Sequence, residues 1–281
     1  MKVFLLQFFN ELWKLFAKKR TYIGLAMFLI AQNAVILLFR FTRATTAMKR
    51  TLEGNGYSVT DYMSALTLST MMVIVMAYTL LPLYVTLMGG DFVAKEVEDG
   101  TLRMILSRPI SRLRLILLKW LAGGVFSAVM VFALGGFGFV FSALWFPPTG
   151  GLFVWLPGEV FSVYGFWEGA GHYVAAHVAM LAKAQTMLTL ALMFSCFNMK
   201  PAAATVLALS VVLITRILME IPYFHDLQHW FLAYHLDVWR LLFLNQIPWA
   251  RITESLSVLA AVNVSMLVIG CAAFHLRDIK S

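Results

Sequence analysis

The sequence predicts an all-α integral membrane protein with six transmembrane helices. Of its 281 residues, 61% are hydrophobic and only 13% are charged, and the mean hydropathy is +0.81. A soluble domain carries charge on about a quarter of its residues. The chain also contains six apolar runs close to the roughly 20 residues that a helix needs to cross a bilayer. In lipid these runs must be helical, because unpaired backbone polar groups are too unfavourable there.

The predicted spans are separated by polar or aromatic connections. They cover residues 22–39, 63–89, 115–144, 173–197, 202–221 and 256–274. Residues 145–172 and 222–255 are long outer connections rich in Trp and Tyr, which favour the membrane interface. Within the second, residues 226–247 have helical character and are expected to lie at the outer face or re-enter it. With no soluble domain or repeat visible, residues 1–281 form one predicted domain.

Proline and glycine mark places where the predicted spans can bend. Pro82 lies in the second span, and Gly135, Gly136 and Gly138 lie in the third. No cleavable signal is expected, because no small-residue cleavage site follows the first apolar run. Cys196 and Cys271 fall near predicted inner ends of spans, and we expect them to be packed, reduced thiols.

The distribution of Lys and Arg predicts that both termini are cytoplasmic. In that orientation the inner segments carry 14 of the 22 basic residues and the outer segments carry seven. The four basic residues of the first outer loop are the counterargument. The net charge of +8 then reflects membrane topology and contact with anionic lipid rather than nucleic-acid binding. We expect a multi-pass protein of the inner (plasma) membrane.

Residues 1–20 predict an amphipathic helix that lies on the inner leaflet. At about 100° per residue, one stripe is polar and the opposite face is apolar. The polar stripe comprises Gln7, Asn10, Glu11, Lys14 and Lys18. The apolar face comprises Phe4, Leu5, Phe8, Phe9, Leu12, Leu15 and Phe16. The chain offers no soluble core for such a helix, so lipid is its expected partner.

The connection between the second and third spans is the densest charged segment. Residues 91–119 hold ten of the 36 charged residues. The pattern predicts a helix to Asp99, a break at Gly100, a short amphipathic helix with Thr101 as N-cap, and a stop at Pro109. A connection between two spans can be a simple turn and does not need a short helix that is fixed at both ends. The predicted helix therefore favours a docking element for a cytoplasmic partner, with a solvated inner loop as the alternative.

This segment resembles the signature of type-2 ATP-binding-cassette (ABC) exporter permeases. Within that family the likeness is nearest to the branch associated with copper-enzyme maturation. The matching residues are Asp91, Glu96, Glu98, Gly100, Thr101, Leu102, Leu106, Ser107, Pro109, Ser111, Arg112 and Lys119. The N-terminal helix, the six spans and the terminal Phe274, Arg277 and Asp278 also agree with the family. Ile105 and Leu118 depart from the pattern, which bears on substrate and fine packing.

The resemblance implies a permease subunit whose residues 91–112 contain the coupling helix for a separate ATPase. The coupling residues that it implies are Asp91, Glu96, Glu98, Asp99, Gly100, Thr101, Leu102, Arg103, Leu106, Ser107, Arg108, Pro109 and Arg112. We expect the acidic residues (Glu96, Glu98 and Asp99) to meet a basic rim on the ATPase. The apolar residues (Leu102, Ile105 and Leu106) would fill a groove there.

The resemblance also implies the composition of the assembly. Two ATPase copies would bind ATP and Mg, and a second permease chain, the same or different, would complete the transporter. The sequence agrees in one respect, because it contains no G-x4-G-K-[ST] phosphate-binding loop. It also contains no H-E-x-x-H or G-x-S-x-G pattern. We therefore expect no catalytic residue, no metal and no cofactor bound by this chain.

Lys183 is the candidate residue of a substrate path. It lies about ten residues into the fourth predicted span, where a lysine is unfavourable unless it faces a polar cavity or a partner. Pairing with a carbonyl or hydroxyl group inside the helix bundle is the alternative. Arg216 and Glu220, at i,i+4 spacing, predict a local ion pair.

Two other function classes stay open at this point. A stand-alone secondary transporter or channel could use Lys183 as its ion-responsive group. A membrane metal or redox protein could use His225 and His229, whose i,i+4 spacing suits two ligands on one helix. In an aromatic outer connection, however, such histidines more often form hydrogen bonds. The substrate itself is not indicated by any motif.

Overall fold

The protein folds as a helical bundle with one small β-hairpin. The computed structural model describes residues 2–107, 110–156 and 160–277. Its helices are α1 Lys2–Ala17, α2 Lys19–Phe41, α3 Thr46–Gly54, α4 Val59–Tyr62, α5 Ala65–Tyr78, α6 Leu80–Glu98, α7 Thr101–Leu106, α8 Arg112–Ala143, α9 Phe166–Cys196, α10 Pro201–Glu220, α11 Leu232–Leu236 and α12 Trp249–Leu276. Three 3₁₀ segments cover Arg43–Thr45, Pro222–Trp230 and Val238–Phe243. The hairpin pairs β1 Leu152–Leu156 with β2 Val160–Tyr164.

The long helices confirm the predicted all-α membrane fold. Among the described residues, five helices (α2, α8, α9, α10 and α12) are long and apolar enough to cross a membrane. The sixth predicted span is a bent pair, because α5 and α6 meet at an angle of 44°. The observed helices extend beyond the predicted spans by one to nine residues at one or both ends, and the largest extension is that of α6 to Glu98.

The break in the second span lies at Thr79, between α5 and α6. The bend predicted from Pro82 is therefore present. Proline has no N–H group to donate to the carbonyl four residues earlier, here that of Tyr78, and its ring crowds that carbonyl. The glycines of the third span have no such effect, since α8 runs unbroken through Gly135 and Gly136.

The centre of the bundle is formed where α6 packs against α9 and α10. A Cβ atom at Gly89 would lie 2.6 Å from the Leu188 carbonyl oxygen, and one at Gly90 would lie 2.5 Å from Thr205 Oγ1. These two glycines therefore allow the helix backbones to approach closely. Among the five unbroken spans, α9 is the most buried, whereas α2, α10 and α12 leave broad apolar faces uncovered. Those faces suit lipid or another subunit.

The two ends of the bundle differ in character. The terminal end contains α1, α7, the start of α8 and the end of α12. The distal end contains α3, α4, the hairpin and the segments of residues 222–243. The hairpin is a correction to the sequence analysis, which treated residues 145–172 as an irregular interfacial connection. Its strands are antiparallel, with Leu152 opposite Tyr164, and Phe153 is completely buried.

Residues 222–243 form consecutive helical turns, as expected for residues 226–247, although most of them are 3₁₀ rather than α-helical. The fully buried Trp239 lies in the last of these turns, and this segment packs against α9. The connection therefore packs into the protein core at the distal end, whereas the sequence left open whether it lies at the outer face or re-enters it.

Helix α1 forms as predicted, but its surroundings correct the expectation that it has only lipid to contact. It packs against α8, where Leu15 is 4% exposed. Phe8, Leu12 and Phe16 also contact the core. The strongly exposed apolar residues are Val3, Leu5, Leu6, Phe9 and Trp13. The face of α1 that is available to lipid is therefore the one that carries Leu6, Phe9 and Trp13, and not the one that carries Leu12 and Leu15.

Candidate functional site

The predicted coupling segment lies at the terminal end and consists of the end of α6, a break and α7. Gly100 has a φ of 71°, a left-handed conformation that glycine adopts without a steric penalty. Thr101 is the first residue of α7 rather than its N-cap, and its hydroxyl donates to the Glu96 carbonyl at 3.2 Å. That hydrogen bond closes the end of α6. Two predicted members of the segment, Arg108 and Pro109, lie outside the described residues.

A network of four ionic side chains joins the coupling segment to two other helices. Lys119 Nζ of α8 lies 2.7 Å from Glu96 Oε1 of α6 and 3.1 Å from Glu11 Oε2 of α1. Lys14 Nζ completes the ring, at 2.6 Å from Glu11 Oε1 and 3.5 Å from Glu96 Oε1. Two cations and two carboxylates therefore compensate one another where α1, α6 and α8 meet.

Burial of this network corrects two expectations. Lys119, a residue of the motif that follows the start of α8, could be expected among the lipid headgroups at the inner end of the third span, yet its side chain is only 3% exposed. Glu96 was expected to meet a basic rim on the ATPase, yet it faces Lys119 inside the protein. A lysine can be buried here because two carboxylates accept hydrogen bonds from its ammonium group; without them the buried charge would be strongly destabilising. Burial would raise the pKa of Glu11, but Lys119 and Lys14 outweigh it and hold that pKa below its usual value.

Asp91, the first residue of the predicted segment, is also buried rather than on a docking surface. Its carboxylate lies 2.6 Å from Arg20 Nη1, and its side chain is 3% exposed. The Tyr84 hydroxyl donates to the Arg20 carbonyl, which anchors the same turn. Asp91 therefore fixes the start of α2 against α6 and is not available to a partner.

Helix α7 has one face in the core and one on the surface. Leu102 is 1% exposed and belongs to the main core, which corrects the expectation that it fills a groove on the ATPase. Ile105 and Leu106 are half-buried against the same core. The exposed side chains of the segment are Glu98, Asp99, Arg103, Met104 and Ser107. Met104, at 66% exposed, is the apolar centre of this face, which we call the α7 surface.

A cavity of about 850 Å³ lies beside α7. Helices α1, α6, α7 and α8 all contribute to its lining. Its polar side includes Lys14, Glu96 and Lys119 of the network, and its apolar side includes Met104 and Ile105. The α7 helix therefore has open space beside it, and the buried ions are reached from that space.

Arg112 links the coupling segment to the last span. Its Nη1 lies 2.9 Å from each of the carbonyl oxygens of Phe274, His275 and Arg277. A cation in this position satisfies the free carbonyls at a helix C-terminus and complements the helix dipole. Ser111 caps α8 by accepting from the Arg114 N–H at 3.3 Å. Arg112, predicted as a coupling residue, thus joins the first turn of α8 to the end of α12.

Lys183, the substrate-path candidate, belongs to a second buried cluster toward the distal end. Its Nζ lies 3.3 Å from Asp237 Oδ1 and 4.4 Å from the centre of the Tyr78 ring. Arg216 also pairs with Asp237, not with Glu220 as predicted. The alternative to a substrate path was pairing with a neutral carbonyl or hydroxyl group, but the structure provides a carboxylate from the segment of residues 222–243. Lys183 is therefore part of an ion cluster rather than a solitary charge.

The outer histidines do not assemble a metal site. Among the described residues, no group of three or more His, Cys, Asp or Glu side chains is arranged to hold a metal ion. His225 and His229 lie in a 3₁₀ segment, and His225 Nδ1 is 3.2 Å from Gln228 Nε2. His235 is buried and contacts Ser255 Oγ at 3.1 Å. Cys196 and Cys271 are unpaired thiols, as expected.

Comparison with known families decides the class of the protein. The model of the family described as ABC-2 family transporter protein matches residues 11–276, nearly the whole chain. The chain belongs to the ABC-2 transporter family. It is therefore an ABC transporter permease and a multi-pass membrane component of the transporter. No curated protein matches the sequence at a significant level.

Several residues of this ABC-2 permease were missed by the sequence analysis. Met104 was passed over because it occupies a variable position of the motif. Glu11 was placed on the polar stripe of an amphipathic helix and Lys119 only among the residues of the motif, although a lone acid in such a helix and a lysine inside an apolar run were both signals of buried pairing. Asp237 offered no such signal, since the sequence does not show that residues 222–243 enter the bundle.

Proposed function

We propose that this ABC-2 permease is an exporter subunit whose α7 surface docks onto a separate ATPase. The observation that carries the proposal is the link between Glu96 and Lys119. Glu96 lies one turn before α7, and its carboxylate is bonded to α8 and faces α1. A displacement of α7 by a docked partner would therefore be transmitted directly to three helices.

The chemistry of the α7 surface supports a protein partner. Glu98 and Asp99 carry negative charge at its start, where Lys95 bonds to both at 2.8 and 3.1 Å. Met104 offers an adaptable apolar contact in the middle, and Ser107 ends the surface. An apolar centre flanked by charge is the usual anatomy of a protein interface. The partner surface should therefore combine an apolar groove with a basic rim.

The assembly that we propose contains two ATPase copies and two permease chains, the same or different. ATP and Mg would be bound by the ATPase subunits. The uncovered apolar faces of α2, α10 and α12 offer surface for a second permease and for lipid. The terminal end would face the cytoplasm, in the inner (plasma) membrane. The concentration of basic residues in α1, at the start of α2 and around α7 supports that orientation.

The finer placement within the family rests on the motif of residues 91–119. Its likeness to the branch associated with copper-enzyme maturation supports a place near that branch. The name of the branch does not imply that this chain binds a metal. Export is proposed on the same likeness, and the substrate class is left open.

The proposal is tested by reconstitution. The chain is expressed with an ATPase encoded beside its gene, and the complex is purified and placed in liposomes. We expect a stable complex whose ATP hydrolysis differs from that of the ATPase alone, whereas the purified chain alone hydrolyses no ATP. ATP hydrolysis by the isolated chain, or a failure to form a complex with any neighbouring or co-regulated ATPase, would contradict the proposal.

A further inference from the structure

A second cavity, of about 570 Å³, lies at the distal end beside the break in the second span. Its lining comes from α5, α10, α12, β1 and the turns of residues 222–243. Three arginines contribute to it: Arg216 of α10, Arg240 of the last 3₁₀ segment and Arg251 of α12. We call this space the arginine cavity. It is separate from the coupling segment, which lies at the terminal end.

Among the described residues, cationic side chains outnumber acidic ones around the arginine cavity. Asp237 is the central acid, and it faces Lys183 at 3.3 Å, Arg240 at 3.9 Å and the bonded Arg216. Asp237 is thus shared by three cations. Glu220 is the other acid among the described lining residues, and it is exposed. With Arg251 included, the described residues around the cavity comprise four cations and two carboxylates.

Arg251 is the cation that most strongly indicates a ligand from outside the chain. Its guanidinium lies 4.6 Å from the centre of the Tyr234 ring, which holds it against one wall of the cavity. Its Nε is buried and has no hydrogen-bond acceptor among the described residues. It also forms no ion pair with a carboxylate in the described part of the chain. Buried guanidinium donors are normally bonded, so this one is suited to an acceptor from outside the chain.

The rest of the lining indicates what that acceptor is attached to. Ile74, Leu156, Met219, Val238 and Leu241 provide apolar surface in the same cavity. Arginine forms paired hydrogen bonds with the oxygens of phosphate and carboxylate groups, and these bonds are stronger than neutral ones. We propose that the arginine cavity binds an oxyanion, most favourably a phosphate group, with Arg251 as the principal ligand and Arg216 and Arg240 in support.

The phosphate could be a lipid headgroup or a soluble ion, and the experiment separates these sources. The full chain is purified in detergent and examined by native mass spectrometry with phosphatidylglycerol or with phosphatidylcholine of the same acyl chains. Pyrophosphate binding is measured separately by calorimetry without added lipid. Binding of phosphatidylglycerol alone identifies the leaflet as the source, and binding of pyrophosphate identifies a soluble oxyanion. Each result supports the site when it depends on Arg251.

The variants make that dependence measurable. Arg251→Gln should weaken binding of the effective probe about tenfold or more, the loss expected for a charge-assisted hydrogen bond. Arg50→Gln, on the exposed face of α3 at the same end, should leave it unchanged. Met219→Glu adds a carboxylate to the lining without removing a cation, and it should also abolish binding. This variant covers the case in which Arg251→Gln does not fold.

Two results would overturn the proposal. One is the absence of binding for both probes to the wild-type chain. The other is equal binding by the wild type and by whichever of Arg251→Gln and Met219→Glu is folded. Neither result bears on the proposed ATPase partner, because the arginine cavity and the α7 surface share no residue.

Discussion

The ammonium group of Lys119 lies 2.7 Å from the carboxylate of Glu96, which ties the first turns of α8 to the last turn of α6. Both side chains are largely buried, and Glu11 of α1 forms a second ion pair with Lys119. The helix that precedes the coupling segment is thus bonded to two neighbours through side chains rather than through packing alone. The first prediction concerns the removal of this cation.

Lys119→Met should destabilise the chain by about 3–5 kcal/mol, because it leaves Glu11 and Glu96 as buried carboxylates with less compensation. The measurement is the thermal unfolding midpoint of the purified protein in detergent. Lys95→Met is the matched control, because Lys95 also faces two carboxylates but its side chain is 31% exposed, compared with 3% for Lys119. The control should unfold at the wild-type temperature. Equal effects of the two substitutions would show that burial of the network contributes nothing.

Met104→Asp should weaken ATPase binding while leaving the chain itself as stable as the wild type. Met104 is exposed, so the substitution removes no internal contact, and it places a charge at the centre of the α7 surface. Loss of one interface contact of this kind corresponds to a roughly 5- to 150-fold weaker complex. The affinity for the ATPase is measured by titration with detergent-solubilised permease.

Leu102→Ala is the counterpart on the buried face of α7. It should lower the stability of the isolated chain by about 2–5 kcal/mol, the range for large-to-small changes in a core. Its effect on ATPase binding should follow from that loss of stability. A wild-type unfolding midpoint for Leu102→Ala would contradict the position of Leu102 in the core.

Gly100→Ala should destabilise the junction between α6 and α7 by about 1–3 kcal/mol, because alanine is strained in the left-handed conformation. The effect is purely conformational, since no atom lies within 4 Å of the added Cβ. Gly54→Ala at the end of α3 is the control, because it too meets no atom within 4 Å and has no positive φ. Amide hydrogen exchange of residues 96–106 should increase in the first variant and not in the second.

Acidification should weaken the Glu11 contacts. The folded-state pKa of Glu11 lies below its value in the unfolded chain, so its contribution to stability is present above the unfolded pKa of about 4.3. That contribution is lost as pH falls through the folded pKa. The difference in unfolding midpoint between the wild type and Glu11→Gln should therefore be largest near neutral pH and shrink below about pH 4. Glu53→Gln, an exposed change on α3, should show a smaller difference throughout.

Much of the fold could be predicted because it depends on local composition. Long apolar runs must be helical in lipid, so the spans were found with small errors at their ends. The break near Pro82 followed from the missing N–H group of proline, and the junction at Gly100 from the conformational freedom of glycine. These features need no knowledge of which helices are neighbours.

The pairings between distant residues could not be predicted for the opposite reason. Glu11 and Lys119 are 108 positions apart, and nothing in the sequence states that α1 packs on α8. Lys183 was recognised as unusual, but its partner Asp237 lies in a segment whose path into the bundle depends on the whole fold. The α7 helix and its apolar side were predicted correctly, but this side packs on the core of the chain itself and not on a partner. A short helix leaves that choice to tertiary packing.

The break at Thr79 divides the second span between two packing groups. Helix α5 contacts α8 and the hairpin, whereas α6 contacts α9 and α10. A change in the 44° angle would therefore move α6 relative to α5 and would repack the contacts that α9 makes with both α5 and α8. Because the arginine cavity borders this break, such a movement would also alter the lining that α5 and α10 give to the cavity. The bend inside the second span is thus a structural link between the two ends of the molecule.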